Sequence, residues 1–323
     1  MINLATNDSR ICNRDQVIID IISAIQKNMP VNLTTISEGP CAASLGLYEL
    51  LDNICNTFAY PKSKISLTTG NLIESHPEYQ IIKKPTLYYL EKTKNCSIDS
   101  IKQFDNNFKH FGNFIGHGNL YRLQLGAYMY ANYRTITLQT YHCNTTDSYH
   151  RSHIGLEDLL FENGTSVFAD AVNLLSNTPL TVDAIDSYPI LMPETLNITK
   201  AYPNFFIELV NISYFSGRTF YVDEKIWRPI LMRTPFMVQG SQNFILNLHR
   251  LGFKTFNHWW DEGYSEDPCD CQVSFMIDNI NRLSALTIDQ LKDMYNEMSS
   301  ILEHNYNRLM TITKQEFTQA FYD

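Results

Sequence analysis

The densest group of chemically capable residues in this sequence is the run Asp223-Glu224-Lys225. Glu224 can accept hydrogen bonds from hydroxyl groups, and the ammonium of Lys225 beside it can offset the charge of a phosphate. At a helix N-terminus the pair would be assisted by the anion-binding amides of the first turn. A Glu-Lys pair on a solvated helix face carries none of this chemistry, so the surroundings decide its meaning. Upstream, the apolar run 205–210 ends in a polar loop holding Asn211, Ser213 and Ser216-Gly217. Downstream, Ile226, Ile230 and Leu231 have helical spacing, limited by Pro229, and the stretch from Thr234 to Gly240 reads as a buried strand ending in glycine.

The elements that must position these residues follow from periodicity and punctuation. Val17, Ile18, Ile21, Ile22 and Ile25 predict a helix over 14–27, with Asn13 as its cap and Pro30 beyond its end. The run 31–36 predicts a core strand, Ser37-Glu38-Gly39-Pro40 a tight loop, 42–59 a helix, and 65–69 a second strand closed by Gly70-Asn71. Strand, loop, helix, strand is the βαβ unit of a parallel sheet. The polar stretch 91–107 is read as a domain boundary, giving domains of 1–105 and 106–323. A second unit starts at Phe111-Gly112-Asn113-Phe114-Ile115-Gly116 and continues through a helix over 120–133 into a strand over 135–141. Strands are expected at 235–239 and 252–256, helices at 242–251 and 288–310. The fold class is therefore α/β, with two Rossmann-like halves facing across a cleft and ligands at the carboxyl ends of their strands. The glycines at 116–118 allow a backbone to approach a phosphate, and Asn119 and Arg122 add donors at the start of the next helix. The competing reading there is an ordinary helix start with Arg122 on the surface.

The order of elements over 205–240 resembles the donor-binding segment of the alpha-1,3-fucosyltransferase family. In that family a strand ending Glu-Asn-Ser precedes an aromatic, a small residue, Glu-Lys, a helix, and then Pro-Val/Phe-hydrophobic-Gly. The matching pieces are Tyr221-Val222-Asp223-Glu224-Lys225 and Thr234-Pro235-Phe236 through Gly240, while Val210 stands where the family has its first glutamate. Beyond this segment, LGFKTFNHWWDEGY, the Ser37-Glu38-Gly39-Pro40 loop and the stretch from Phe114 to Arg122 look like a wider set of viral, phage and bacterial glycosyltransferases. The resemblance implies a GT-B glycosyltransferase, fucosyltransferase-like, with an N-terminal acceptor-side domain and a C-terminal domain for a UDP-, GDP- or dTDP-linked sugar. It implies that Glu224 contacts ribose or sugar, Lys225 a phosphate, and Arg122 the diphosphate as a second cation. Asn119, Asn211 and Tyr221 complete the expected donor site. Transfer to a glycan or other hydroxyl acceptor by inversion needs a carboxylate base; Glu38 is the first candidate and Asp147 the reserve. No Asp-x-Asp triplet occurs, which favours a metal-independent enzyme without cofactor.

Other groups weigh less. His142, Asp147, His150, Arg151 and His153 cluster without a metal-ligand spacing, and Cys269-Asp270-Cys271 is a lone CxC. Trp259-Trp260 suits a sugar face, but aromatic pairs more often belong to a core. A glycoside hydrolase would need paired carboxylates. Glu157-Asp158 and Asp261-Glu262 are available for that, with no motif around them, and a non-catalytic binding protein of the same fold is the other alternative. The formal net charge of -9 argues against nucleic acid as a partner. The 44% hydrophobic content supports a packed core, and no stretch is apolar over the length of a transmembrane span. Seven scattered cysteines and a sequon at Asn32, inside an expected core strand, point to a cytoplasmic location.

Overall fold

The computed structural model describes residues 1–6, 10–35, 39–96, 101–116, 119–141, 166, 169–182 and 197–321. Two four-stranded sheets, parallel throughout, organise the chain. The first contains β1 (Ile2–Leu4), β2 (Val31–Thr35), β3 (Ile65–Thr69) and β4 (Gln80–Lys83), side by side in chain order. Helix α1 (Arg14–Gln26) links β1 to β2, and α2 (Leu47–Phe58) links β2 to β3. Because right-handed crossovers in one direction place successive helices on one face, this order leaves the other face of β2 uncovered. Asn32 is accordingly exposed, and it accepts a 2.7 Å hydrogen bond from Ser66 Oγ. The expectation of a core position for Asn32 is thus wrong, and the glycan argument built on it has no footing. The apolar face packs Val17, Ile21, Leu33, Leu51 and Leu67 into a separate core.

The second sheet contains β5 (Lys109–Ile115), β6 (Thr137–Tyr141), β7 (Phe205–Asn211) and β8 (Phe236–Gln239), in the order β6-β5-β7-β8. The chain goes from β5 to one side, then returns to build on the other. Such a reversal is a topological switch point, and open α/β sheets place ligands at the carboxyl ends of the strands that flank it, here β5 and β7. Helix α4, here following the short α3 (Tyr88–Lys94), spans Leu120–Tyr133 and covers one face, where Gln139 Nε2 donates to Gly126 O and Gln239 Nε2 to Tyr121 O. Helix α5 (Glu224–Leu231) covers the opposite face, where Arg228 pairs with Glu208 of β7 at 2.9 Å. The sheet is therefore doubly wound at the point where β5 and β7 meet.

Helices α6 (Phe244–Arg250), α7 (Cys269–Ser284), α8 (Ile288–Thr311) and α9 (Lys314–Gln319) complete the second unit. Its core is the larger, and it draws Leu72, Leu87, Leu90 and Cys96 from the stretch that the sequence assigns to 1–105. α3 runs into the start of the polar stretch 91–107 and packs on α5 and α8. The chain end returns toward the first sheet, where Lys83 of β4 donates to Phe321 O at 2.7 Å. Several sequence boundaries move for local reasons. The second helix begins at Leu47, not 42, because Gly46 takes a left-handed φ of 65° just before it. Residues 252–256 are not a strand: Gly252 has φ 85°, and Lys254 N bonds the Asn305 side chain of α8 instead of a neighbouring strand. Strands β1 and β4 and helix α7 are elements that periodicity did not reveal.

The Glu208–Arg228 pair clamps α5 to β7 inside the core, with Tyr202 OH donating to the second carboxylate oxygen at 2.5 Å. Burial pushes the Glu208 carboxyl up, against the pull of Arg228. Arg228→Met strands that carboxylate in an apolar interior and should lower stability by about 3–5 kcal/mol in urea denaturation. Adding Glu208→Met should recover most of the loss, since two apolar side chains replace two charges of similar volume.

Candidate functional site

The switch point is bounded by two helix N-termini, those of α4 after β5 and α5 after β7. Each is capped by its own chain. Asn119 Oδ1 accepts from Arg122 N at 2.9 Å, and Asp223 Oδ1 accepts from Lys225 N at 3.0 Å. The capping residues have extended backbone, the geometry that lets a short polar side chain turn back onto the first turn. Asn119 was expected as a ligand donor; its oxygen is committed to the cap. Asp223 was read as part of the helix, and it is instead the cap itself.

Lys225 sits at the centre. Its Nζ donates to Glu224 Oε1 at 2.8 Å, Asp223 Oδ2 at 3.0 Å and Ser213 Oγ at 3.1 Å. Ser213 Oγ in turn donates to Asp223 Oδ2 at 2.7 Å. Asp223 is 1% exposed and Glu224 4%, while the Lys225 side chain retains 19%. A surface Glu-Lys pair is excluded by these values. Burial works to lower the Lys225 pKa, but the two carboxylates outweigh it and the ammonium ends above its ordinary value. Burial also works against the Asp223 charge, yet Lys225 and the Ser213 hydroxyl pull its carboxyl below the usual range. Glu224 goes the other way: burial pushes its carboxyl up, Lys225 only partly opposes this, and the Asp223 charge adds to it. Two adjacent carboxylates are thus driven apart, one firmly ionised and one readier to take a proton.

Arg122, expected either at a phosphate or on the surface, is buried at 6% exposure. Its guanidinium donates to Ile212 O at 2.6 Å and lies 5.7 Å from the Phe215 ring. Arg122 and Lys225 therefore grip neighbouring parts of the segment 212–213, close enough that the Arg122 charge acts on Lys225. Asn211 closes β7, fully buried, with its Nδ2 donating to Asn113 Oδ1 at 3.0 Å and to Leu209 O at 3.1 Å. Those two bonds fix the amide orientation and leave its Oδ1 without a hydrogen-bond partner. The neighbouring Gln239 Oε1 of β8 is in the same condition. Tyr221 is buried with its ring 5.7 Å from that of Tyr214, edge to face.

The structure thus brings Asn119, Arg122, Asn211, Glu224 and Lys225 to the carboxyl end of β7 and the helix starts beside it, with Tyr221 in the segment that leads there. Glu38 and Asp147 lie outside the described residues, as do His142, His150, Arg151, His153, Glu157 and Asp158. Among the described residues no group of three or more His, Cys, Asp or Glu side chains could hold a metal ion, and no helix is long and apolar enough to cross a membrane. Trp260 is core, its ring tilted against that of Phe256 with centroids 5.1 Å apart, and Trp259 Nε1 donates to Glu297. Glu262 is buried and accepts from Phe256 N at 3.0 Å, so Asp261-Glu262 is not a catalytic pair across a sugar. Two participants were given no role by the sequence: Asp223, the cap and carboxylate partner of Lys225, and Ser213, the hydroxyl between them. An Asp placed just before a helical run was the available signal for the first. No protein family, curated protein or solved structure matches the chain.

The Asp223 arrangement has a defined pH signature. A carboxyl whose folded pKa is lowered contributes stability that is present above its unfolded pKa, ordinarily 3.8, and is lost as pH falls through the folded value. Asp223→Ala should therefore cost about 1–3 kcal/mol at neutral pH through the lost cap and charge-assisted bonds. The gap to wild type should narrow steadily below pH 3.8 in denaturation curves recorded across acid pH.

Proposed function

We propose that this chain is a glycosyltransferase that holds a nucleotide-sugar in the crevice between β5 and β7. The observation that carries the reading is the convergence of two helix N-termini and two buried cations, Arg122 and Lys225, on residues 211–213 where the strand order reverses. Switch-point crevices and helix N-termini are the places where α/β folds hold diphosphates. The diphosphate lies against the amides of α4 and α5, facing Lys225 and Arg122. Glu224 accepts hydrogen bonds from ribose or sugar hydroxyls, and so does the unsatisfied oxygen of Asn211. As the sugar leaves, negative charge grows on the diphosphate, and the fixed cations and amides stabilise it without a metal ion. An acceptor hydroxyl from a glycan, its proton taken by a carboxylate, attacks the anomeric carbon in one inverting displacement. Glu38 is the proposed base and Asp147 the alternative. The two α/β units form a GT-B arrangement, with the acceptor on the side of the first.

A thermal-shift screen with UDP-, GDP-, dTDP- and CMP-sugars tests this. A ligand bound only by the folded state at a hundredfold excess over Kd adds about 2.7 kcal/mol. At least one donor should therefore raise the melting temperature by several degrees. Lys225→Ala and Arg122→Ala should still melt cooperatively and lose the shift. A flat response of the wild type to all four classes would sink the reading.

A further inference from the structure

Asn71 follows the carboxyl end of β3, in the first unit, and its side chain uses all four of its hydrogen-bonding positions. Nδ2 donates to Glu74 Oε2 at 3.1 Å and to Arg218 O at 2.9 Å. Oδ1 accepts from Ile73 N at 3.3 Å and from Phe220 N at 2.9 Å. The backbone adds Leu72 N donating to Phe220 O at 3.1 Å. Glu74 is itself held by Ala42 N at 3.0 Å and by the Tyr48 hydroxyl at 2.8 Å. One amide therefore joins the loops behind β2 and β3 to a segment of the second unit.

The approach is as close as chains allow. A methyl group added at Gly39 would sit 2.0 Å from Asn71 N, and one added at Gly217 would sit 2.0 Å from Ser44 Oγ. Gly217 also has a left-handed φ of 62°, which disfavours any other residue. Segment 214–222 thus docks its middle on the first unit, while the residues at its two ends, Ser213 and Asp223, hold Lys225.

We infer that Asn71 is a positioning residue for the donor site: by fixing 214–222 to the first unit, it sets the spacing of Ser213 and Asp223 around Lys225. The inference rests on the donor-site reading given above. Its chemical content is that the acceptor-side unit and the phosphate-binding lysine are connected through one buried amide. The two units cannot shift relative to each other without moving the segment whose ends hold the ammonium.

Hydrogen exchange of the full chain, together with calorimetry using inorganic pyrophosphate as the probe, tests it. Asn71→Ala removes four side-chain hydrogen bonds, two of them to the segment, and Gly217→Ala breaks the same dock from the opposite side. Both should speed exchange of the 216–222 amides and weaken pyrophosphate binding by about tenfold, the equivalent of roughly 1.4 kcal/mol. The amides of β3 should remain protected in both, which verifies that the variants fold. Tyr48→Phe is the control, because it removes one bond to Glu74 and none to the segment; exchange at 216–222 and pyrophosphate affinity should match wild type. The inference fails if exchange at 216–222 is unchanged in both dock variants, or if Tyr48→Phe has the same effect as they do. If wild type binds neither pyrophosphate nor any nucleotide diphosphate, the donor-site reading fails, and with it the role assigned to Asn71 there; the exchange data then decide only whether the dock exists.

Discussion

An ammonium group taken largely out of water must find three acceptors, and Lys225 finds them on two segments that meet beside it. Ser213 belongs to the exit from β7, Asp223 is the cap of α5, and Glu224 is the first residue of that helix. The desolvation cost of the charges is offset only while all three stay in register. The position of α5 against β7 is therefore under tight constraint. That position is fixed one turn deeper by Arg228 and Glu208, a second ion pair fully inside the core. The two pairs lie along one helix and one strand, so the charged cluster around Lys225 rests on the deeper clamp.

The two sheets have different orders, and this explains why the charged cluster sits in the second. The first adds strands in one direction, and among its described strands there is no reversal and no crevice of the switch-point kind. The second reverses between β5 and β7, and the helices that follow those strands lie on opposite faces with their N-termini together. The first unit contributes through the ends of β2 and β3, whose loops meet the segment before Asp223.

Much of this was legible in the sequence wherever an apolar period was long or a cap was present. α1, α4, β3 and β7 appear close to their expected bounds, because each carries its core face within its own span. β1 and β4 escaped because three or four residues give too little alternation to register. The run 252–256 looked like a strand by composition, but its apolar residues Phe253 and Phe256 serve the helical core. At the site, residue types together with the order of elements singled out Glu224, Lys225 and Arg122 as candidates, since charge at a strand-to-helix junction is visible in one dimension. Asn71 was not visible as anything but a turn residue. Its meaning comes from Arg218 and Phe220, nearly half the chain away, and no local pattern records such a pairing.

Pro229 falls inside α5, where its ring nitrogen cannot return a hydrogen bond to the carbonyl four residues earlier. That carbonyl belongs to Lys225. The opening turn of the helix is consequently uncoupled, by one rung of the ladder, from the portion anchored through Arg228. The charged opening turn is therefore seated by the Asp223 cap and the Ser213 hydroxyl, and less by the ladder of the helix behind it.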